Sequence, residues 1–291
     1  MILQILDIIA PVFILSGVGW LWAKRDLPYD IAFVTRLGIG VSMPCLIFST
    51  LVRAQIEPSA FQDMMLAALL LYGLFAVVFG AAFRLAGLSL RTFLPPTVMN
   101  NTGNLGLPVA LYAYGDEGLA LAIVLFAIMV TIQFSLGLWF VAGPQKGWDA
   151  ARQPMVWAAV LGVAGAWADV KLPVFVDATI ALTGQMAIPL MVLTLGVSIS
   201  RIRVGSIKRA LVVALMRYVG ALAIALGLGA AMGLTGTVYA VLVLQAIMPA
   251  PVTNYLLALQ YDAEPTEVAG LVVVSTALSI ALVPLTLAFL I

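Results

Sequence analysis

The chain has 291 residues, of which 64% are hydrophobic and 9% charged, with a formal net charge of +1 and no histidine. A soluble domain carries about a quarter charged residues, so this composition excludes a soluble protein and predicts an integral membrane protein. The near-zero charge also excludes nucleic-acid binding, which needs clustered basic residues.

The apolar segments predict an all-α protein of ten transmembrane helices, because a spanning helix needs about 20 mostly apolar residues. The first has no basic residues before it, unlike a cleavable signal peptide. The sixth is short, and the fourth and ninth are interrupted. In chain order the segments cover 2–22, 31–51, 64–86, 93–113, 118–142, 155–169, 174–199, 210–233, 236–259 and 266–290.

Basic residues predict the orientation, since cytoplasmic loops are enriched in them. One face has only Arg53 and Lys171. We therefore expect a multi-pass protein of the cell (inner) membrane with both termini outside. The cytoplasmic loops would then hold Lys24, Arg25, Arg84, Arg91, Lys146, Arg152, Arg201, Arg203, Lys208 and Arg209.

The two halves of the chain resemble each other. A hydrophilic cytoplasmic linker at 143–153 separates residues 1–142 from 154–291. Pro44 in the second span corresponds to Pro189 in the seventh, and "NNTGNLGLP" (100–108) falls opposite "MPAPVTNYL" (248–256). Each half has five spans, so the halves are predicted to insert in opposite directions. Interrupted helices at matching places in an inverted repeat point to a transporter's binding site.

The interruptions of the fourth and ninth spans predict an anion site. Proline and glycine break these helices, and free backbone groups persist in a membrane only where protein or water satisfies them. Half-helix N-termini would offer amide donors to a carboxylate. The alternative is that these residues only pack helices together. The helix breaks are assigned to Gly103, Gly106, Pro108, Pro249 and Pro251, and the substrate contacts to Asn100, Asn101, Thr102, Asn104, Thr253 and Asn254.

Three further polar residues lie within the predicted spans. Gln133 and Gln245 are predicted to contact substrate, with interhelical hydrogen bonding as the alternative. Arg217 lies about 10 Å into the eighth span at 1.5 Å per residue. It is either a charge partner for an anion or a side chain that extends back to the cytoplasmic surface.

The run "NNTGNLGLP" resembles the fourth span of the auxin efflux carrier family, whose bacterial members include malonate and malate permeases. "PLMVLTLGVSIS" (189–200) and "VVVSTALSIALVPL" (272–285) are similar to its seventh and tenth spans. The resemblance implies a bile-acid-symporter-like fold of two inverted five-helix repeats, in which helices 4 and 9 are broken and crossed. Helices 1, 2, 6 and 7 would form a dimerising scaffold, and helices 3–5 and 8–10 a mobile transport domain.

The resemblance also implies site residues. Asn101 matches the asparagine that faces the substrate carboxylate, and Pro108 and Pro249 match crossover prolines. Asn254 stands where the plant carriers have a second proline in span nine, which departs from the pattern.

We therefore expect a homodimeric secondary transporter of a small organic anion, such as malonate, malate or an auxin-like acid, working by alternating access in the lipid membrane. No enzyme motif, metal cluster or cofactor site is present in the sequence, and Na⁺ or H⁺ coupling stays open. The alternative is a membrane-embedded ligand sensor or interaction protein without net transport.

Overall fold

A computed structural model of the chain describes residues 2–53, 57–142, 153–168, 170–202 and 205–290, with side chains from residue 5 onward. Throughout these ranges the regular structure is helical and no strand is formed. The linker predicted at 143–153 lies outside the described residues apart from Gln153. The predicted cytoplasmic residues Lys146, Arg152 and Arg203 also lie outside them.

The first half of the chain forms α1 (Ile2–Lys24), α2 (Ile31–Leu37), α3 (Met43–Arg53), α4 (Pro58–Leu85), α5 (Leu90–Val98), α6 (Leu107–Ile132) and α7 (Leu138–Ala142). The second half forms α8 (Pro154–Trp167), α9 (Val174–Gln185), α10 (Ala187–Arg201), α11 (Ile207–Ala231), α12 (Gly236–Ala246), α13 (Val252–Gln260) and α14 (Pro265–Leu290).

The wider turns of a π-helix interrupt the helical path in the first half, at Gly38–Ser42, Thr102–Gly106 and Gln133–Gly137. The first of these joins α2 to α3 and comes directly before Pro44. Proline has no N–H to donate to the carbonyl four residues back, so one α-helical hydrogen bond is missing beside this turn.

Seven helical segments of the described chain are long and apolar enough to cross a membrane. One of them, Leu90–Ala142, has 53 residues. A straight helix of that length would be about 80 Å long, against a bilayer core of about 30 Å, so this segment must turn back. It does so at Gly115, where φ is 64°, a left-handed backbone conformation that favours glycine.

The turn at Gly115 separates the spans that were predicted at 93–113 and 118–142. The helices α8 and α12 are apolar but shorter than the other candidates. Length and hydropathy therefore support several spans, in a chain whose described regular structure is helical, whereas the predicted number of ten goes beyond this measure.

The helices pack as two groups. Group A consists of α1–α3 and α8–α10, in which α1 packs along α10, and α3 packs against α8 and α9. Group B consists of α4–α7 and α11–α14, in which α4 packs against α5, α6 and α11, and α11 against α14. The broken helices α5–α6 and α12–α13 both belong to group B, and they reach the boundary with group A.

In group A, α1 and α10 approach each other closely at two glycines. A Cβ atom on Gly19 would overlap the backbone of Leu193, and one on Gly196 would overlap the backbone of Ser16. The absent side chains let the two helix backbones lie in direct contact, as small residues do in membrane helix pairs. This contact fixes α10 beside α1.

Candidate functional site

The first helix break lies between α5 and α6. The helix α5 begins with a cap, since the Ser89 side chain accepts the Thr92 N–H at 3.3 Å, and it ends at Val98. Residues 99–101 are not helical, and the π-helical turn at Thr102–Gly106 then leads into α6. Asparagines favour such positions because their side chains compete with the helical backbone for hydrogen bonds.

The second break lies between α12, which ends at Ala246, and α13, which begins at Val252. Pro249 and Pro251 fall in the gap, and neither can donate a backbone hydrogen bond. The N–H of Ala250 between them donates to Ser275 Oγ on α14, at 3.1 Å. A neighbouring helix therefore satisfies the backbone donor that the break exposes.

The two breaks meet at a contact that we call the crossing, where a backbone hydrogen bond joins them. The Asn101 N–H donates to the Pro249 carbonyl at 2.8 Å. Asn100 Nδ2 donates to the carbonyls of Gln245 and Ala246, at 2.8 and 3.2 Å. Asn100 thus links the C-terminal end of α12 to the break in the first half of the chain.

Arg217 on α11 lies behind this crossing and is 1% exposed. Its Nε donates to the Thr97 carbonyl at 3.1 Å, and its Nη2 donates to Asn100 Oδ1 at 2.7 Å. Of the carboxylates in the described residues, none forms an ion pair with it. The alternative in which Arg217 extends to the cytoplasmic surface does not hold, because its guanidinium is turned into the crossing.

A cavity of about 90 Å³ lies between group A and the crossing. Group B contributes the first residues of the two second half-helices, including Gly103 and Pro251. The first-turn amides of a helix have no intrahelical acceptors, so both half-helix N-termini turn positive ends toward the cavity. Five of the predicted polar residues also line it: Asn100, Asn101, Asn104, Gln133 and Thr253.

Among these five residues, Asn101 stands out because its side chain has a polar atom without a hydrogen-bond partner. It is 2% exposed and lines the cavity, and its Nδ2 has no hydrogen-bond partner among the described residues. Gln133 differs, because its Nε2 donates to Thr253 Oγ1 at 3.1 Å. Asn101 therefore has an unpartnered, buried donor on a side chain of the cavity lining, whereas Gln133 and Thr253 are already joined to each other.

Three residues predicted to contact substrate do not line the cavity. Thr102 is fully buried beside it. Gln245 is also fully buried, and its Nε2 donates to the Gly106 carbonyl at 2.9 Å. Asn254 Nδ2 reaches the Pro95 carbonyl at 3.5 Å. These residues hold the crossing together or fill its interior, which is the interhelical role that was considered for Gln245.

Of the five residues assigned to the helix breaks, only Pro108 lies in regular α-helix. Pro249 and Pro251 lie in the non-helical gap, and Gly103 is in the π-helical turn. Gly106 closes that turn, and Pro108 is the second residue of α6. A Cβ atom on Gly106 would overlap the Gln245 side chain, so this glycine permits the close crossing.

Group A supplies cavity residues that the sequence did not single out. Thr194 and Ser198 lie four residues apart on α10 and share one face of it, and Thr35 lies on α2. Thr194 Oγ1 forms a hydrogen bond of 2.7 Å with Tyr29 Oη. Met43, Met155 and Met191 complete this wall with apolar surface. The spacing of Thr194 and Ser198 is visible in the sequence, but only the packing of α10 shows which cavity they face.

No charged side chain lines the cavity in the described part of the chain, and the same residues hold no cluster of His, Cys, Asp or Glu that could bind a metal. Its polarity comes from amides, hydroxyls and helix ends. Such a site suits a small ligand with hydrogen-bond acceptors.

A sequence model of the family described as "Membrane transport protein" matches residues 4–287. The chain belongs to this family. It is the family of the auxin efflux carriers, whose fourth span the run at 100–108 resembles.

Two archaeal relatives of this membrane transport protein are aligned over almost their whole length. A protein of Methanothermobacter thermautotrophicus, named as an uncharacterized transporter, is 29% identical over 98% of this chain and 95% of its own. A second uncharacterized transporter, from Methanocaldococcus jannaschii, is 24% identical over 96% of this chain and 97% of its own. The chain is therefore a multi-pass membrane transport protein and not an enzyme.

Proposed function

We propose that this protein is a secondary transporter that moves a small organic anion by alternating access. The observation that carries the proposal is the unpartnered Nδ2 of Asn101, a residue of the cavity lining beside two half-helix N-termini. A buried donor without a partner costs about 1–3 kcal/mol. A carboxylate in the cavity would accept from this donor and from the positive helix ends, and would recover that free energy.

The substrate class follows from the size and lining of the cavity. Its volume of about 90 Å³ is well below the roughly 300–1,000 Å³ of sites for drug-sized ligands. A dicarboxylate of three or four carbons, such as malonate or malate, suits this space better than an auxin-like acid with an indole ring. The methionines of the opposite wall can adapt to small differences in ligand shape.

The packing of the helices supports the mechanism. We propose that group B is the transport domain, that group A is the scaffold, and that the chain has ten spans in two inverted five-helix repeats. In support, π-helical turn 38–42 precedes Pro44, and a helix interruption at Met186 precedes Pro189. The cavity lies at the boundary of the two groups, so a movement of one against the other would change the side from which it is reached.

We also propose that the protein is a homodimer in the cell (inner) membrane, with both termini outside and the linker at 143–153 in the cytoplasm. Group A presents an apolar face at α9, where Val174, Phe175 and Leu182 are 87%, 73% and 70% exposed. This face is a candidate for the contact with a second copy, in keeping with a scaffold that stays fixed while group B moves.

The test is counterflow in proteoliposomes. Purified protein is reconstituted with a high internal concentration of unlabelled malonate, malate or indole acetate, and uptake of the same labelled acid is followed. We expect transient, saturable accumulation that is fastest with malonate or malate. Empty liposomes give the background.

The rival function, a membrane-embedded sensor without net transport, predicts a different result. It predicts that an acid raises the melting temperature of the purified protein while counterflow stays at the level of empty liposomes. Absence of both counterflow and ligand stabilisation with every acid would refute an organic-anion site altogether.

A further inference from the structure

Two helix C-termini converge at the crossing. The helix α5 ends at Val98 and α12 ends at Ala246. The last carbonyls of a helix have no intrahelical donors and carry partial negative charge. Thr97, Gln245 and Ala246 contribute such carbonyls here. A crossing of this kind requires positive charge or donors beside these ends.

Arg217 and Asn100 supply both. The guanidinium donates to the Thr97 carbonyl at the end of α5 and to Asn100 Oδ1. The Nδ2 of the same Asn100 donates to the Gln245 and Ala246 carbonyls at the end of α12. One cation therefore serves both C-termini, directly at α5 and through Asn100 at α12. Asn100 lines the cavity, whereas Arg217 does not.

The same oxygens would suit a small metal cation. Backbone carbonyls and a side-chain amide oxygen are ligands for hard cations such as those of group 1 and group 2. Carriers whose broken helices are arranged in this way can bind a coupling ion at unwound carbonyls. Here the Arg217 guanidinium, which keeps its charge at every physiological pH, already contacts one such carbonyl, that of Thr97, and the amide oxygen of Asn100.

We propose that Arg217 is a built-in cation that takes the place of a co-transported metal ion at the crossing, so that transport needs no Na⁺ gradient. The transport consequence depends on the proposed function, but the electrostatic role does not. Arg217 acts as a positioning residue. It holds Asn100 and the two C-termini in place, and its charge stays in the protein during each transport cycle.

The first experiment measures melting temperatures in detergent, in NaCl, KCl and choline chloride at equal ionic strength. The wild type should melt at the same temperature in all three salts. Arg217→Gln should melt lower, and Na⁺ should raise its melting temperature again, because the carbonyls can then bind a cation. Arg217→Lys keeps the charge and should lie nearer the wild type. Arg84→Gln on exposed α4 surface is the control and should behave as the wild type.

Specific stabilisation of the wild type by Na⁺ would overturn the proposal. So would an Arg217→Gln protein that melts like the wild type in every salt. If Arg217→Gln does not fold, the wild type in the three salts and Arg217→Lys still decide the question.

The second experiment repeats malonate counterflow with Na⁺ replaced by choline on both sides of the membrane. The rates should be equal, and a loss of about tenfold without Na⁺ would overturn the proposal. If no acid exchanges in either medium, the proposed function fails, while the melting temperatures still test the role of Arg217.

Discussion

The backbone N–H of Asn101 donates to the carbonyl of Pro249 across 2.8 Å, which joins the breaks of the two helices. This bond uses the backbone donor of Asn101 and leaves its side chain for the cavity. The neighbouring Asn100 differs, because its side-chain amide is hydrogen-bonded to Arg217 and to two carbonyls at the end of α12. Two adjacent asparagines therefore have separate roles.

Asn101→Ala should weaken substrate binding with little effect on folding. The variant removes a donor that has no protein partner in the described structure, whereas a hydrogen bond to a carboxylate contributes about 1.5–3 kcal/mol. We expect the KM for counterflow to rise roughly 10- to 150-fold with a melting temperature near that of the wild type. Asn254→Ala is the control, because Asn254 is equally buried at the crossing but does not line the cavity. Equal effects of the two variants on KM would contradict the site assignment.

Gly106→Ala should destabilise the crossing by about 1–3 kcal/mol. The added methyl group would overlap the Gln245 side chain and separate its Nε2 from the Gly106 carbonyl. Thermal unfolding in detergent measures the change. The matched substitution is Gly227→Ala on α11, where a Cβ atom meets no atom within 4 Å. That variant should be neutral or stabilised by up to about 1 kcal/mol, and a similar loss in both would argue against a close crossing.

Gly19→Ala should separate α1 from α10 and lower the melting temperature, at a cost of about 1–3 kcal/mol. The Cβ atom would meet the backbone of Leu193, which cannot move without the whole helix. Gly17→Ala lies two residues earlier on the same helix and meets no atom within 4 Å. If Gly17→Ala were the more damaging change, the packing of α1 against α10 would be wrong.

Thr194→Cys should report occupancy of the cavity from the side of group A. The substitution is made in a Cys45→Ser background, since Cys45 is the one native cysteine. Modification by a small thiol reagent should slow when malonate is present, because Thr194 lines the same cavity as Asn101. Ser59→Cys in the exposed first turn of α4 should react at the same rate with and without malonate. Unchanged labelling of Thr194→Cys by any acid that is exchanged would place the substrate elsewhere.

Much of this arrangement is predictable from the sequence, because prolines, glycines and hydropathy act locally. Pro249 and Pro251 identify the second break, and the asparagines at 100 and 101 identify the first. The family resemblance adds the expectation that the two broken helices cross. Asn101 stays the best candidate for substrate contact on these grounds.

Other features depend on the relative rotation of helices, which local patterns do not determine. Thr102 and Asn254 are polar and close to the breaks, yet they do not line the cavity. Thr194 and Ser198 lie on a helix for which the family resemblance implies only a scaffold role. The position of Arg217 in its span leaves two directions for its side chain, and only the packed neighbours distinguish them.

The π-helical turns at Gly38–Ser42, Thr102–Gly106 and Gln133–Gly137 each supply residues to the cavity, namely Ile39, Gly103, Asn104, Gln133 and Phe134. A π-helical turn amounts to one residue added to an α-helix, and one residue corresponds to a rotation of about 100°. Deleting a single residue from such a turn would restore a regular α-helix. The part of the helix before the turn would then be rotated about the helix axis relative to the part after it. The wall of the cavity is thus set by chain length as well as by residue type, and single-residue insertions or deletions offer a route by which relatives of this protein can acquire new ligands.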